Sequence, residues 1–147
     1  MPDHLADSAW DLDPTKWELV RTSFAKIALV PDVGAMFYYR LFSIDQSLRS
    51  LFKDDVAQTG RLLMTVVSVA IDNLDQMDRI IPAIRNLGRR HRGYGVKPAD
   101  YDTGKGAFLW AIEQALGEDF TPPVRDAWLT WYELLAAEMQ TSNPPAG

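Results

Sequence analysis

Histidine is the reactive side chain that is easiest to place in this chain, because the 147 residues contain only two of them. His4 lies in a polar N-terminal stretch. His91 closes a series of apolar residues at helical spacings of three and four, formed by Ile80, Ile81, Ile84 and Leu87. The glycines at 93 and 95 and the proline at 98 predict that this helix ends just beyond His91. An imidazole in that place is either a core residue or a metal ligand.

The composition excludes several classes of function. There is no cysteine, so disulfides, thiolate metal sites, iron–sulfur clusters and cysteine nucleophiles are excluded. The formal net charge of −5 argues against nucleic acid as a general partner. No apolar run approaches the roughly 20 residues of a membrane span, and the N-terminus resembles no export signal. We therefore expect a cytoplasmic protein with no membrane span.

The residue inventory leaves few kinds of site. No nucleophile-elbow motif accompanies His91, one helical histidine cannot form a zinc or di-iron site, and the glycines follow a helix rather than a strand. A single imidazole can, however, ligate a haem iron, because the porphyrin supplies the other four nitrogens. Arg89, Arg90 and Arg92 could meet the propionates or form a solvated helix surface. The apolar lining available is Phe52, Leu63, Val67, Leu87, Val96 and Phe108.

Helical periodicity organises nearly the whole chain, and no alternating strand pattern is present. Six helices are predicted. The first starts at Asp13 and ends before Pro31, and the second spans 33–49 with Asp32 as its cap. The others span 56–73, the segment that contains His91, 98–116 and 121–140. The segment 56–73 is apolar over much of its circumference, which predicts burial on more than one side. We predict one all-α domain over 13–141, built as an angled-helix sandwich, with an N-terminal arm (1–12) that packs back through Trp10 and a C-terminal tail (142–147).

Several stretches together carry a family resemblance. They are FYYRLF (37–42), SLF (50–52), RLLMTVV (61–67), LGRRHRGYGV (87–96), the ADY that ends at Tyr101, and AWLTWY (127–132). In this order and spacing, over roughly residues 15–140, the chain resembles a bacterial single-domain globin of the flavohaemoglobin and Vitreoscilla-haemoglobin group, and it is also similar to neuroglobin.

The resemblance implies a 3-on-3 helical globin fold of six main helices without a D helix, binding haem b (iron protoporphyrin IX). It implies that His91 is the proximal iron ligand, that Phe52 packs on the porphyrin and that Tyr38 donates a hydrogen bond to the distal ligand. Thr59 falls at the usual distal position, with Gln58 as the alternative if the helix is shifted by one residue. Leu63 falls one turn on, and Tyr101 lies near the proximal side. No distal histidine is present, which excludes six-coordination by one.

The resemblance leaves the physiological role open. The first expectation is reversible binding of O2, with CO or NO as further ligands, for oxygen storage or delivery by a monomer or homodimer. The alternative is an enzyme, a nitric oxide dioxygenase or peroxidase, which would depend on an external reductase because no reductase domain follows. A gas sensor acting through the arm around Trp10 ranks third.

Overall fold

The computed structural model describes Trp10 and residues 14–52 and 55–141. Within them the chain forms six α-helices and no β-strand, which confirms the predicted all-α class. The helices are α1 (Pro14–Ile27), α2 (Val33–Ile44), α3 (Val56–Asp72), α4 (Ile81–Gly93), α5 (Pro98–Leu116) and α6 (Pro122–Thr141). Short 3-10 segments lie at Gln46–Leu51, Met77–Arg79 and Gly117–Asp119. No helix of this part of the chain has the length and apolar character needed to cross a membrane.

Proline and polar caps set the starts of α5 and α6 where the sequence predicts them. Pro98 and Pro122 occupy first-turn positions, where a missing N–H group costs nothing. The Asp100 carboxylate accepts a hydrogen bond from the Lys97 N–H group at 2.9 Å. The Thr121 hydroxyl accepts one from the Val124 N–H group at 3.4 Å. Asp13, the predicted cap of α1, and the tail from residue 142 onward lie outside the described residues.

The second helix is shorter than its periodicity predicts. The α-helix ends at Ile44 rather than near residue 49, and Asp45 is extended with φ −142°. Its carboxylate accepts hydrogen bonds from the Ser47 N–H group at 3.0 Å and the Ser47 hydroxyl at 2.6 Å. Such local bonds compete with helix continuation. The resulting 3-10 segment brings Phe52 back against α2, with its ring centroid 5.3 Å from that of Tyr38.

The predicted cap at Asp32 is also wrong in its chemistry. Asp32 precedes α2, but its backbone is left-handed (φ 63°) and its side chain makes no capping hydrogen bond. A side-chain cap requires an extended backbone at that position, which directs the oxygen toward the first helical N–H groups. The Asp32 carbonyl instead accepts the Met36 N–H group at 2.9 Å.

The helices form two layers of three. α1, α3 and α4 lie on α2, α5 and α6: α1 packs on α5 and α6, α3 on α2, and α4 on α6. Large aromatic side chains fill the core between them, with Trp128 and Trp131 fully buried and Phe108 4% exposed. The ring centroids of Phe108 and Trp131 are 5.7 Å apart in a stacked arrangement. This is the angled-helix sandwich that the sequence predicts.

Two backbone-to-backbone crossings fix how α3 and α4 sit on the other layer. A Cβ atom on Gly34 of α2 would lie 2.1 Å from the carbonyl oxygen of Gly60 on α3. A Cβ atom on Gly88 of α4 would lie 1.8 Å from the carbonyl oxygen of Met139 on α6. Only glycine permits approaches this close. The second crossing lies three residues before His91, so it sets the position of the histidine relative to the core.

The prediction that the third helix is buried on more than one side is wrong. Val67, Ala70 and Ile71 are buried, but three apolar residues face outward: Leu62 (61% exposed), Val66 (37%) and Val69 (47%). α3 covers α2 with one face only, because no other described helix packs extensively over its outer face. Apolar residues on both faces of this helix made the pattern look like that of a central helix.

Trp10 packs back onto the helices, as the sequence predicts. It is 1% exposed, its ring lies 5.7 Å from that of Trp17, and its carbonyl accepts the indole N–H group of Trp17. Its own indole N–H group donates to the Glu138 carboxylate over 3.5 Å. The same carboxylate accepts from Arg85 Nε at 3.1 Å. Glu138 on α6 thus links the N-terminal side of the chain to α4, and the rest of the predicted arm (1–9 and 11–12) lies outside the described residues.

Candidate functional site

His91 lies in the last turn of α4 and is held by its own helix. Its Nδ1 atom is 2.9 Å from the carbonyl oxygen of Leu87, one turn earlier. A carbonyl can only accept a hydrogen bond, so Nδ1 carries the proton. Nε2 then presents its lone pair, and no group in the described part of the chain donates a hydrogen bond to it. A neutral imidazole with one nitrogen anchored and the other free is the form that ligates a metal.

Burial favours that neutral form. Desolvation lowers the pKa of His91 below its ordinary value, and the hydrogen bond to Leu87 opposes the shift without cancelling it. The chain beyond His91 closes the helix end, because the Val96 N–H group donates to the His91 carbonyl at 3.0 Å. Gly95 then takes φ 102°, which turns the chain toward α5. The imidazole therefore sits in a capped, well-defined helix end.

Tyr38 on α2 is the buried hydroxyl among the predicted site residues. It is 7% exposed, and three aromatic rings surround it, with centroids at 4.8 Å (Phe37), 6.0 Å (Phe42) and 5.3 Å (Phe52). No hydrogen-bond partner for its hydroxyl occurs among the described residues. Burial raises its pKa to about 12, so the phenol stays protonated at neutral pH. The result is a neutral donor that is not engaged by the described protein groups.

Phe52 is fixed by its neighbours as well as by its ring contacts. The guanidinium group of Arg49 donates a hydrogen bond to the Phe52 carbonyl and lies over the ring of Phe42, 5.4 Å from its centroid. The Phe52 ring contacts both Tyr38 and Phe42. Phe52 is half-buried. Phe52 is therefore a large aromatic ring in a fixed position at the end of a short 3-10 segment, which suits it to pack on a flat ligand.

The two alternatives for the distal position differ in burial. Gln58 is exposed, whereas Thr59 is half-buried. The Thr59 hydroxyl donates to the Asp55 carbonyl at 2.9 Å, within its own helix, so its proton is already engaged. Leu63, one turn on, is half-buried and packs against the Tyr38 cluster as well as the main core.

Comparison with known proteins decides the family. The globin family model matches residues 35–139, which contain all of the site residues above. The chain belongs to the globin family. Neuroglobin of Tetraodon nigroviridis is 30% identical, over 83% of this chain and 86% of that protein, and neuroglobin of Dissostichus mawsoni shows the same identity and coverage.

A solved structure shows the same fold. The crystal structure of a hexacoordinated haem protein from an anhydrobiotic tardigrade superposes with a TM-score of 0.74, over 87% of this chain and 95% of that one, at 14% identity. The two-layered arrangement of α1–α6 is thus the globin fold. The predicted fold and the predicted likeness to neuroglobin are both confirmed.

The other predicted pocket residues of this globin fall into three groups. Val67 and Phe108 are buried in the main core; Leu87, Val96 and Tyr101 are half-buried; Arg90 is exposed. Desolvation raises the pKa of Tyr101, with the nearby Arg92 opposing the shift. Arg90 and its neighbours Arg89 and Arg92 form no ion pair within the described residues. The described part of the chain also contains no cluster of three or more histidine or acidic side chains that could bind a metal ion.

Tyr132 is a site residue that the sequence reasoning did not single out. It lies in the AWLTWY stretch on α6, its ring is 5.5 Å from that of Phe108, and its hydroxyl donates to the Tyr101 carbonyl at 2.9 Å. Burial raises its pKa strongly, and the nearby ionisable groups of Tyr101, Asp102 and Tyr38 add to the shift. The sequence offered one indication of its position, because Tyr132 lies four residues after Trp128 and thus on the same face of α6. Its hydrogen-bond partner, a backbone carbonyl on another helix, cannot be recognised from the sequence.

A surface groove of about 520 Å³ is separate from this site. It lies between α1, α2 and α3, above the Gly34–Gly60 crossing, and none of the predicted site residues lines it. Its walls include Ile27, Val33, Met64 and Val69. The groove therefore contributes no group to the chemistry around His91.

Proposed function

We propose that this globin binds haem b and reversibly binds O2 at a distal pocket, with CO or NO as alternative ligands. The observation that carries the proposal is the state of His91, whose Nδ1 proton is engaged by Leu87 and whose Nε2 lone pair is free of described partners. Haem needs one axial imidazole from the protein and, when bound, supplies an iron atom with an open coordination position. The haem protein among the structural neighbours is consistent with this assignment.

The predicted lining residues suit a flat apolar group with a polar edge. The rings of Phe52 and Phe108 and the aliphatic side chains of Leu63, Val67, Leu87 and Val96 would supply the apolar lining. Tyr101 would lie near the proximal side. Arg90 is exposed beside His91 in sequence, where its guanidinium can meet a propionate without either charge leaving water.

Tyr38 would be the main distal donor. Its side chain is 7% exposed and its hydroxyl is neutral and unengaged among the described residues, whereas the Thr59 proton is directed to Asp55 and Gln58 is exposed. A hydrogen bond from Tyr38 to a bound diatomic ligand would stabilise negative charge on that ligand and slow its release. A tyrosine in this role also supports placing the chain with the bacterial single-domain globins.

Absorption spectra of the purified protein test the proposal. The wild type should show ferric, ferrous, CO-bound and O2-bound spectra of a histidine-ligated haem. Because His91 is the proposed ligand, His91→Ala should abolish the iron–histidine stretching band of the ferrous form in resonance Raman spectra. His4→Ala is the matched control, since it removes the only other histidine, and it should leave that band unchanged.

Two outcomes would contradict the proposal. One is a folded wild-type protein that remains colourless after incubation with haemin. The other is a His91→Ala variant whose iron–histidine band persists. Restoration of five-coordinate ferrous haem in His91→Gly by added imidazole would strengthen the assignment, because the small ligand would then fill the space left by the side chain.

A further inference from the structure

The exposed face of α4 carries several positive charges, and most of them have no role in the proposed haem site. Between residues 81 and 97 lie five of the chain's 15 lysines and arginines and none of its 20 acidic residues. The remainder of the chain therefore has a formal charge of −10. Four of these five cations, at positions 85, 89, 90 and 92, lie on the helix that presents His91, so the charge is unevenly distributed along the chain.

Two of the three arginines on this face have no ion-pair partner within the described residues. Arg85, Arg89 and Arg92 follow spacings of four and three, so they share one side of α4. Arg85 is paired with Glu138, but Arg89 and Arg92 are exposed and have no carboxylate partner within the described residues. Arg89 donates only to Asn86, at 3.1 Å in the same helix. The partial negative charge at a helix C-terminus favours cations there, but at about half an elementary charge it does not neutralise them.

The position of this face relative to His91 indicates what it could serve. Arg89 precedes His91 by two residues, which places the two side chains on roughly opposite sides of a helix about 10 Å across. A protein docked on Arg89 and Arg92 would thus be separated from the proposed iron ligand by the width of one helix. A globin that binds O2 reversibly needs ferrous iron, so one electron must reach the iron each time it has been oxidised to the ferric state.

We propose that Arg89 and Arg92, with Tyr94 beside them, form a docking surface for an acidic electron-carrier protein. In the step itself the reduced carrier loses one electron and the ferric iron gains it. The proposal rests on the haem-binding function proposed above. Attraction between the basic face and an acidic partner would increase the association rate, and it would weaken with salt.

The charge distribution favours a partner of limited contact area over an extended anionic surface. Arg89 and Arg92 lie within four residues and cover a small area. The charge of −10 outside residues 81–97 would be repelled by a membrane or nucleic acid that extended past these arginines. A small acidic protein can contact the arginines without facing the remaining surface. Tyr94, 64% exposed, offers the kind of aromatic contact that is enriched at such interfaces.

Reduction kinetics test the docking surface in the haem-loaded full chain. The probe is reduced plant-type [2Fe–2S] ferredoxin, an acidic carrier, mixed anaerobically with ferric protein under CO while the ferrous–CO spectrum appears. The wild-type rate should fall as ionic strength rises. Arg89→Gln/Arg92→Gln should react at least roughly fivefold more slowly at low salt and should show a flatter salt dependence. Arg79→Gln/Arg125→Gln removes the same charge away from this face and should keep the wild-type behaviour.

Two controls separate failure of this proposal from failure of the haem assignment. Photoreduced deazariboflavin, a small neutral donor, should reduce the wild type and both double variants at the same rate, which shows that the haem itself is intact. An unchanged ferredoxin rate and salt dependence in Arg89→Gln/Arg92→Gln would overturn the docking surface. So would binding to phosphatidylserine vesicles that depends on these two arginines while the ferredoxin rate does not, because the face would then be a membrane contact.

Discussion

At the scale of single residues, the proposed retention of a distal ligand would depend on the hydroxyl of Tyr38. Tyr38 is surrounded by aromatic rings, stays protonated and is not engaged by the described protein groups. The hydroxyl is therefore available to donate a hydrogen bond to a ligand.

We expect Tyr38→Phe to increase the O2 dissociation rate by roughly 10- to 150-fold, because a hydrogen bond to a polarised ligand contributes roughly 1.5–3 kcal/mol. Stopped-flow displacement of O2 by CO measures that rate. Tyr39→Phe is the matched control, since Tyr39 is adjacent and 65% exposed, and its rate should equal that of the wild type. An unchanged rate in Tyr38→Phe would remove the tyrosine from this role and direct attention to Thr59.

At the scale of helices, the position of His91 depends on how α4 crosses α6. The crossing is a backbone contact at Gly88 and Met139, and the ion pair between Arg85 and Glu138 lies beside it. Glu138 is 9% exposed and accepts from two other parts of the chain. Contact geometry and charge pairing thus hold the same helix.

Gly88→Ala should separate α4 from α6, because the new methyl group would overlap the backbone of Met139. We expect a loss of about 1–3 kcal/mol in the free energy of unfolding and faster haem loss to a scavenging apo-globin. Gly106→Ala provides the control. It lies in α5 with nothing within 4 Å of its Cβ position, so it should stabilise the protein by up to about 1 kcal/mol. Equal stability of the two variants would contradict the role of the crossing.

Glu138→Gln should lower the free energy of unfolding by about 1–3 kcal/mol, because it leaves Arg85 and the Trp10 indole with a weaker acceptor. Urea denaturation followed by tryptophan fluorescence measures this change. Glu133→Gln breaks the exposed pair with Lys105, and it should change stability by less than about 0.5 kcal/mol. If the two variants lost equal stability, the buried link between α4, α6 and Trp10 would contribute no more to the free energy of unfolding than an exposed ion pair.

At the scale of the whole molecule, buried phenols make stability sensitive to alkaline pH. Burial raises the pKa of Tyr132 above the value of about 10 that it has in the unfolded chain. As pH rises past 10, the unfolded state therefore loses the proton first, and the stability that is complete below pH 10 declines. The described helices share one core around Phe108, so this loss affects the entire fold.

Tyr132→Phe should remove that part of the pH dependence. At pH 8 we expect the variant to be about 1 kcal/mol less stable, through the lost hydrogen bond to the Tyr101 carbonyl. At pH 11 the difference should shrink or reverse, since phenylalanine cannot ionise. Urea midpoints at the two pH values measure the effect, and Tyr39→Phe should behave as the wild type does. Parallel declines for Tyr132→Phe and the wild type would show that Tyr132 does not titrate with unfolding.

The amino-acid sequence alone determined the helical class and most helix boundaries, and it singled out His91 as the candidate iron ligand. These features depend on local signals: the 3.6-residue periodicity, prolines in first turns and glycines after last turns. The predicted roles of Phe52 and Tyr38 in a haem pocket came from the resemblance to globins, which rests on the order and spacing of several stretches. The family match over residues 35–139 supports that resemblance.

Tertiary structure decided the features that depend on contacts between distant residues. The end of α2 at Ile44, the outward-facing side of α3 and the partner of Tyr132 all depend on which element packs where. The tautomer of His91 likewise depends on the distance from its ring to the Leu87 carbonyl. Periodicity reports that a face is apolar, but only the packed chain shows which neighbour covers it and which polar atoms are left without partners.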